Sequence, residues 1–189
     1  MKFIKTALAL AALSVVTSLS LSAQQAPRPS PPDVTSAVIG PRGGPRVIIF
    51  YGRPQSKDPK SGEIRKIWGG LVPFGKADRL GANEATTLLT SKPMIIGSTT
   101  IPAGAYTLYI VPSETGTSKL AFSKNIGKWG IPVDETQDVA RVDLTKSTVD
   151  TRVDQLTITV SNVPDVTNGG EIAITWENTR YTVAFTLAN

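Results

Sequence analysis

The sequence predicts an all-β fold, an antiparallel β-sandwich or jelly-roll-like barrel of about ten strands. Apolar and polar residues alternate over residues 156–161 and again over residues 172–177. This period of two is typical of strands with one buried face. Turns separate several such stretches, and almost no stretch has the 3.6-residue period of a helix. One long segment, from Arg53 to Glu84, lacks the alternation and is predicted to be a loop insertion.

The remaining strands follow from the same alternation and from the turns that bound it. The run 47–51 is apolar on both faces, which predicts a central strand covered on both sides. Residues 97–98 are a Gly-Ser loop that predicts a tight hairpin, and residues 178–179 predict a second one in which Glu177 faces Arg180. Further strands are expected at residues 34–39, 86–90, 94–96, 99–101, 105–111, 119–123, 139–144 and 181–187.

The first 23 residues have the three-part pattern of a secretory signal peptide. Two lysines precede an apolar stretch over residues 7–21, and small residues follow it. We expect cleavage after Ala23, with Ser20 or Ser22 as the alternative sites. The mature chain is therefore predicted to have no transmembrane helix and to be exported to the periplasm or the medium.

The mature chain begins with a proline-rich leader. Residues 24–32 contain four prolines, so residues 24–33 are expected to be an extended, disordered leader without packing partners. Residues 34–189 are expected to form a single β-sandwich domain. Without the two lysines of the signal peptide, 18 basic and 15 acidic residues remain, and residues 24–92 hold 11 of the basic ones and 5 of the acidic ones. This half is the one expected to meet an anionic partner, and nucleic acid is not expected to be one.

The sequence contains no cysteine and no histidine. Their absence excludes disulfides, thiol nucleophiles, Ser-His-Asp triads and zinc sites of the Cys/His type. We therefore expect neither a metal nor a cofactor. The side chains that remain for chemistry are carboxylates, lysine, arginine and tyrosine.

The segment Arg53–Glu84 is the predicted functional region, because long loops in compact domains are often functional. It has seven basic and four acidic residues, with two aromatic residues between them. Basic groups beside aromatic faces and glycines predict a groove for an anionic or sugar-like ligand. The alternative is that its apolar side chains close one end of the sandwich while the charges lie in solvent: Trp68, Leu71, Val72 and Phe74.

These observations favour a non-catalytic module that binds a ligand or a component of the cell envelope through this segment. The candidate ligand-binding residues are its basic, aromatic and amide side chains and its last carboxylate: Arg53, Arg65, Lys66, Trp68, Lys76, Arg79, Asn83 and Glu84.

Three alternative roles stay open for the chain and for this segment. One is a carbohydrate-active enzyme of glycosidase or lyase type, because glycoside cleavage needs two carboxyl groups. Its site centres on Glu84, with Asp78 or Glu63 as the second carboxyl group and Arg79 beside them. Another is a structural or assembly protein that exposes a sheet edge. A third, purely structural role is an internal ion pair in which Arg79, Asn83 and Glu84 hold the loop on the sandwich.

Several short blocks of the sequence are recognisable together: Arg53-Pro54, residues 67–76, Arg79, residues 81–86, Pro102-Ala103-Gly104, Tyr106, Leu108, Trp129-Gly130 and Trp176-Glu177. These blocks resemble the secreted bacterial proteins catalogued as domain of unknown function 2911. The resemblance covers residues 34–187 and implies an exported bacterial β-sandwich-like domain with no assigned activity. It also favours the long segment as the functional region, because the most recognisable blocks lie there. In this family an aromatic residue commonly precedes the Arg of the Arg-x-Gly-Ala-Asn-Glu block, where this sequence has Asp78.

Overall fold

The structure is a computed structural model that describes residues 27–189. The predicted signal peptide and its cleavage site lie outside the described residues. Within residues 27–189, no helix is long and apolar enough to cross a membrane. The strands are β1 (Pro32–Val38), β2 (Arg46–Gly52), β3 (Asp78–Arg79), β4 (Thr87–Thr90), β5 (Met94–Ile96), β6 (Thr99–Ile101), β7 (Gly104–Val111), β8 (Lys119–Ser123), β9 (Asp138–Asp143), β10 (Thr145–Asn162) and β11 (Gly169–Leu187), and a 3₁₀ turn spans Glu135–Gln137.

These strands form two antiparallel sheets, which confirms the predicted all-β sandwich. The large sheet has the order β1-β2-β4-β7-β8-β9, and β3 pairs with β7 beside it. The small sheet has the order β10-β11-β5-β6. The two sheets meet along one side, where the Val160 amide donates to the Thr35 hydroxyl at 3.1 Å. The predicted hairpin at residues 97–98 joins β5 and β6, and Gly97 has the positive φ of 57° that such a turn needs.

The core lies between the inner faces of the two sheets. Ile49 and Leu88 of the large sheet and Ile158 and Ile174 of the small sheet are buried, as the alternation in the sequence requires. Burial of each such side chain contributes about 1.5–3 kcal/mol. A chain without disulfides is therefore held together by this apolar layer.

The hairpin predicted at residues 178–179 is confirmed to within one residue. The Leu187 amide donates to the Asn168 carbonyl at 2.9 Å, and the Phe185 ring lies against Gly170, so the two ends of β11 are neighbours. A straight strand of this length would hold its ends about 60 Å apart. The chain therefore folds back within β11 at Glu177 and Asn178, where Glu177 has a φ of 55°. The register between β10 and β11 shifts at this turn, on both sides of the pair Val153–Glu177.

The predicted contact between Glu177 and Arg180 is wrong, because Glu177 lies in the turn itself. Glu177 instead accepts a hydrogen bond from Arg152 at 3.2 Å, and Arg180 donates to Glu171 at 2.9 Å. The second pair joins the two halves of β11 across the hairpin.

The expectation that the run 47–51 is covered on both sides is wrong as well. This run forms β2, which lies between β1 and β4, and its inner face is buried. On the outer face, Phe50 is 46% exposed and pairs across the strands with Val34, which is 53% exposed. The sandwich has two layers, so the second apolar face of β2 packs only against neighbours in its own sheet.

Part of the proline-rich leader packs against the domain. Asn83 Nδ2 donates to the Ser30 carbonyl at 3.0 Å, and Arg28 Nη1 donates to both carboxylate oxygens of Glu84 at 2.7 and 2.9 Å. The expectation of a disordered leader without packing partners is therefore wrong for residues 28–33, because the Pro31 carbonyl also accepts from the Arg53 amide and Pro32 and Asp33 belong to β1. Prolines have no N–H, so this segment offers carbonyl acceptors to donors on the loop.

Candidate functional site

A cleft of about 600 Å³ opens where the Arg53–Glu84 segment packs against β11 and against Pro29 and Ser30 of the leader. We call it the Asp78 cleft, after the carboxyl group in its wall. Most of its lining comes from the Arg53–Glu84 segment, with Trp176 of β11 closing one side. A volume of this size lies within the range of roughly 300–1,000 Å³ typical of small-molecule sites.

Apolar side chains anchor the middle of the segment in the core. The Trp68 ring lies edge-on to Tyr181 and Trp176, with centroids 5.0 and 6.4 Å away, and its Nε1 donates to the Trp176 carbonyl at 3.2 Å. Ile67 and Val72 are buried beside it. Trp68 is a predicted ligand-binding residue, but its ring is buried and its N–H is bonded within the protein, so it belongs to the core. One segment thus both closes the sandwich and forms the cleft, and Val72 takes part in both.

A small hairpin-like turn over residues 57–64 forms another wall. Lys57 bridges to Ile64, and the Asp58 carboxylate accepts hydrogen bonds from the amides of Lys60 and Ser61 at 2.8 and 3.0 Å. These two amides lower the pKa of Asp58. Since the turn satisfies its own polar groups, it places the Lys57 side chain at the cleft without help from other elements.

The two arginines in the lining are held by protein oxygens. Arg65 donates from Nη2 to the Gln55 carbonyl at 2.6 Å and from Nε to the Ser56 carbonyl at 3.4 Å, and its Nη1 lies 3.6 Å from Asp58. Each nitrogen of this guanidinium therefore already has a partner. The side chain stabilises the turn as well as lining the cleft.

Arg79 also donates hydrogen bonds to protein oxygens. Its Nη1 donates to the carbonyls of Asn83 and Trp129 at 2.9 and 3.2 Å, and its guanidinium lies 5.8 Å from the centroid of the Trp129 ring. These contacts hold together the two loops that carry Asn83 and Trp129. Arg79 therefore has a structural role in addition to its place in the cleft lining.

Asp78 is the carboxyl group of the lining. In the pairing of β3 with β7, Asp78 lies opposite the buried Ile110, whereas Arg79 lies opposite Tyr109. Since paired residues share a face, this register turns Asp78 toward the inner side of the sheet. Burial raises the pKa of Asp78 to about 6, and the neighbouring Arg79 opposes part of this shift. Within residues 27–189, no hydrogen bond or ion pair reaches this carboxyl group.

The structure brings three of the eight predicted ligand-binding residues into the lining: Arg65, Arg79 and Asn83. Of the others, Arg53 is turned toward β10, where it donates to the Leu156 carbonyl and the Thr157 hydroxyl. Lys66 and Lys76 are exposed outside the lining. The sequence places all these residues in one segment but does not indicate which side of it each faces.

Glu84 and Glu63 also lie outside the lining. Glu84 is exposed, and its pKa is lowered by the hydrogen bonds from Arg28. The internal ion pair expected between Glu84 and Arg79 is replaced by this pair with the leader. Among the carboxyl groups proposed for catalysis, Asp78 is therefore the one that the cleft contains.

Several lining residues were missed by the sequence analysis: Pro29, Ser30, Gln55, Lys57 and Trp176. Lys57 had a signal, because it is one of the basic residues of the segment. The place of the leader and of Trp176 in the cleft depends on contacts that a local pattern does not show. Ser30 and Asn83 are 53 positions apart in the chain, and Trp68 and Trp176 are 108 positions apart.

A second polar cluster lies on the outer face of the large sheet. Tyr109 donates to Asp138 Oδ2, Arg141 Nε donates to the same oxygen at 2.7 Å, and Arg141 Nη2 contacts the Tyr109 hydroxyl at 2.8 Å and Glu135. Burial and the bond to Asp138 raise the pKa of Tyr109. Throughout residues 27–189, no group of three or more acidic side chains is arranged to hold a metal. The members of this cluster bind one another.

A family model described as "Protein of unknown function (DUF2911)" matches residues 30–185. The chain belongs to this family. The match confirms the resemblance seen in the sequence blocks and includes the whole Arg53–Glu84 segment. Comparison with curated proteins and with solved structures gave no match. The family description assigns no function, so the role of the cleft has to be argued from its geometry.

Proposed function

We propose that this protein is an exported, non-catalytic module that binds a small ligand in the Asp78 cleft. The observation that carries the proposal is the Asp78 carboxyl group, which is half-buried in a cleft with no partner in the described residues. A carboxylate in such a place costs stability unless something compensates it. Groups with strongly shifted pKa values in clefts cluster at functional sites, and a bound ligand supplies the missing partner.

The form of the cleft supports the proposal. The segment that surrounds it is anchored through Trp68 and Val72, so the walls are in place before a ligand arrives. A preformed site loses less conformational entropy on binding than a flexible loop does. Its polar groups suit an anionic or carbohydrate-like ligand, either free or as part of the cell envelope.

Export is the second part of the proposal. It is supported by the pattern of residues 1–23, in which a basic start, an apolar stretch and small residues follow one another. Fractionation of the producing bacterium followed by sequencing of the mature N-terminus tests it. We expect a periplasmic or extracellular protein that begins at Gln24. A cytoplasmic protein that keeps Met1 or Lys2 contradicts it.

Ligand binding is tested by a matched pair of variants. Leu71 lines the cleft and is 42% exposed, whereas Ile64 is 61% exposed on the same segment but outside the lining. L71W fills the cleft, and I64W adds the same indole elsewhere. Thermal unfolding of all three proteins is measured with a panel of carboxylates, phosphates, amino acids and saccharides. A ligand at about 100 times its Kd adds about 2.7 kcal/mol, which raises the Tm of a chain this long by roughly 5–10 °C.

We expect a ligand that raises the Tm of the wild type and of I64W but not that of L71W. A ligand that stabilises L71W as much as the wild type places binding outside the cleft and contradicts the proposal. A panel without any stabilising compound contradicts it as well.

A carbohydrate-active enzyme is the second candidate, and the pKa of Asp78 favours it. A carboxylic acid with a pKa of about 6 suits proton donation near neutral pH. Glycosidases need a second carboxyl group, however, and Glu63 and Glu84 lie outside the lining. Chromatography of neutral and acidic oligosaccharides after long incubation separates the two candidates. We expect intact substrates, and cleavage that D78N abolishes establishes the enzyme instead.

A further inference from the structure

We infer that the Asp78 cleft binds an uncharged, hydroxyl-rich ligand, namely a segment of neutral saccharide, in preference to an anion. The inference rests on the proposed binding function and names its ligand class. Some polar groups of the cleft already have hydrogen-bond partners in the protein, and the others are free to bind a ligand.

Some of the cationic N–H groups are already used by the protein. A guanidinium recognises a carboxylate or phosphate best through two parallel N–H groups. Every nitrogen of Arg65 contacts a protein oxygen, so a bidentate anion there would have to displace contacts that hold the turn at residues 57–64. Nη1 of Arg79 contacts two carbonyls. The cationic donors of the lining without such a partner within residues 27–189 are Nε and Nη2 of Arg79 and Nζ of Lys57.

The free groups have mixed polarity. Within residues 27–189, no protein hydrogen bond engages the side-chain carboxyl of Asp78, the amide of Gln55, the hydroxyl of Ser30 or Oδ1 of Asn83, although all four residues line the cleft. All four of these groups accept hydrogen bonds from a ligand, and two of them, Gln55 and Ser30, also donate. Sugar hydroxyls both donate and accept, so they satisfy such a set without bringing a charge into the cleft.

Either kind of ion meets side chains of its own charge in the cleft. An anion meets the unpaired Asp78 carboxylate in a poorly hydrated place, where like charges interact strongly. A cation meets three positively charged side chains in the same lining. A neutral ligand donates a hydroxyl to Asp78 and compensates its burial, and the apolar walls at Leu71 and Val72 suit the C–H faces of sugar rings.

Titration calorimetry with hexasaccharides of three charge classes tests the inference. Cellohexaose, xylohexaose, maltohexaose and chitohexaose are the neutral probes, hexagalacturonate is the acidic one and chitosan hexamer is the basic one. We expect at least one neutral hexamer to bind with a Kd that changes less than twofold between about 50 and 500 mM NaCl. Pull-down with the corresponding insoluble polymers shows whether the ligand is a free oligosaccharide or a segment of a polymer.

Variants separate the ligand classes by the sign of their effect. D78N keeps the size of the side chain but removes its charge, and K57Q removes the positive charge of Lys57. For a neutral saccharide we expect D78N to weaken binding about tenfold, because the amide oxygen still accepts the hydrogen bond but lacks the charge that strengthens it. An anionic ligand predicts the opposite, tighter binding by D78N and weaker binding by K57Q. D150N is the matched control, because Asp150 is exposed on β10 away from the cleft.

Binding of hexagalacturonate alone, strengthened in D78N and weakened by salt, overturns the inference and leaves the proposed binding function intact. Failure of every neutral probe, soluble and insoluble, also overturns it. The proposed function itself is judged by the L71W and I64W pair, whose readout does not depend on the class of ligand. The two failures are therefore distinguishable.

Discussion

Two half-buried aspartates of the same sheet have opposite surroundings. Asp138, on β9, accepts hydrogen bonds from Tyr109 and Arg141 at Oδ2, and it belongs to a cluster whose members bind one another. Asp78, on β3, has no such bond within residues 27–189 and faces the cleft. Burial of a charge is tolerated when donors compensate it, and it destabilises the fold when they are missing.

The difference separates a structural carboxylate from a functional one. Tyr109 belongs to both neighbourhoods, since it bonds Asp138 and lies opposite Arg79 in the pairing of β3 with β7. On the outer face of β7, the Tyr109 hydroxyl donates a hydrogen bond to Asp138. One residue along β7, on the inner face, Ile110 offers no side-chain donor to Asp78 opposite it. An uncompensated carboxyl group is stable there only because the rest of the core outweighs its cost.

The largest effect is expected from the compensated aspartate. D138N removes the charge that strengthens the bonds to Tyr109 and Arg141, and it places an amide N–H₂ near the position of Oδ1, which is buried without a partner in the described residues. We expect a loss of about 2–3 kcal/mol in the free energy of unfolding, measured by urea denaturation. If D138N leaves the urea midpoint unchanged, the cluster around Asp138 does not stabilise the fold. Asp138 is then no longer a compensated carboxylate with which Asp78 can be compared.

The same substitution at the other aspartate has the opposite expected sign. D78N removes a poorly hydrated carboxylate that has no partner. We expect a gain on the order of 2 kcal/mol at about pH 7.5, after allowing for the solvent contact of the half-buried group. Urea denaturation without ligand provides the measurement. Destabilisation by D78N shows that the carboxylate has a structural role, which contradicts its assignment to ligand binding.

The dependence on pH sharpens this prediction. The folded-state pKa of Asp78, about 6, lies above the ordinary value of 3.8. Between these values the folded state binds more protons than the unfolded state, so stability falls as the pH rises. The advantage of D78N over the wild type is therefore small near pH 4, grows through pH 6 and is constant above about pH 7. Denaturation of both proteins across this range gives the difference, in which the other titrating groups cancel. A flat difference contradicts the raised pKa.

The strands could be predicted from the sequence because their signal is local. The alternation in residues 119–123 and the turn at Gly97 each depend on a few neighbouring residues, and the structure confirms both. The turn at Glu177 breaks the same local pattern, and its position is predicted to within one residue. The local pattern does not show the partner of Glu177, because Arg152 lies on another strand.

The cleft could be predicted only in part, because its key contacts are not local. The segment was found from its length and composition, yet the orientation of Asp78 depends on pairing with Ile110. The sequence shows an aromatic residue at Trp68 but does not show whether its ring contacts a ligand or, as in the structure, packs edge-on to Trp176. The docking of the leader through Ser30 and Asn83 likewise joins distant parts of the chain.

The smallest effect is expected from a carboxylate that is exposed and paired. Glu84 receives hydrogen bonds from Arg28, and both side chains are largely exposed. Water and salt screen such pairs, so R28A is expected to leave the Tm unchanged within error at about 0.5 M NaCl.

Because Arg28 adjoins Pro29 and Ser30 of the cleft wall, R28A also tests whether that wall depends on the ion pair. We expect unchanged saccharide affinity in calorimetry, since Asn83 still holds the Ser30 carbonyl. A weaker affinity without a change in Tm assigns the leader a direct role in ordering the cleft.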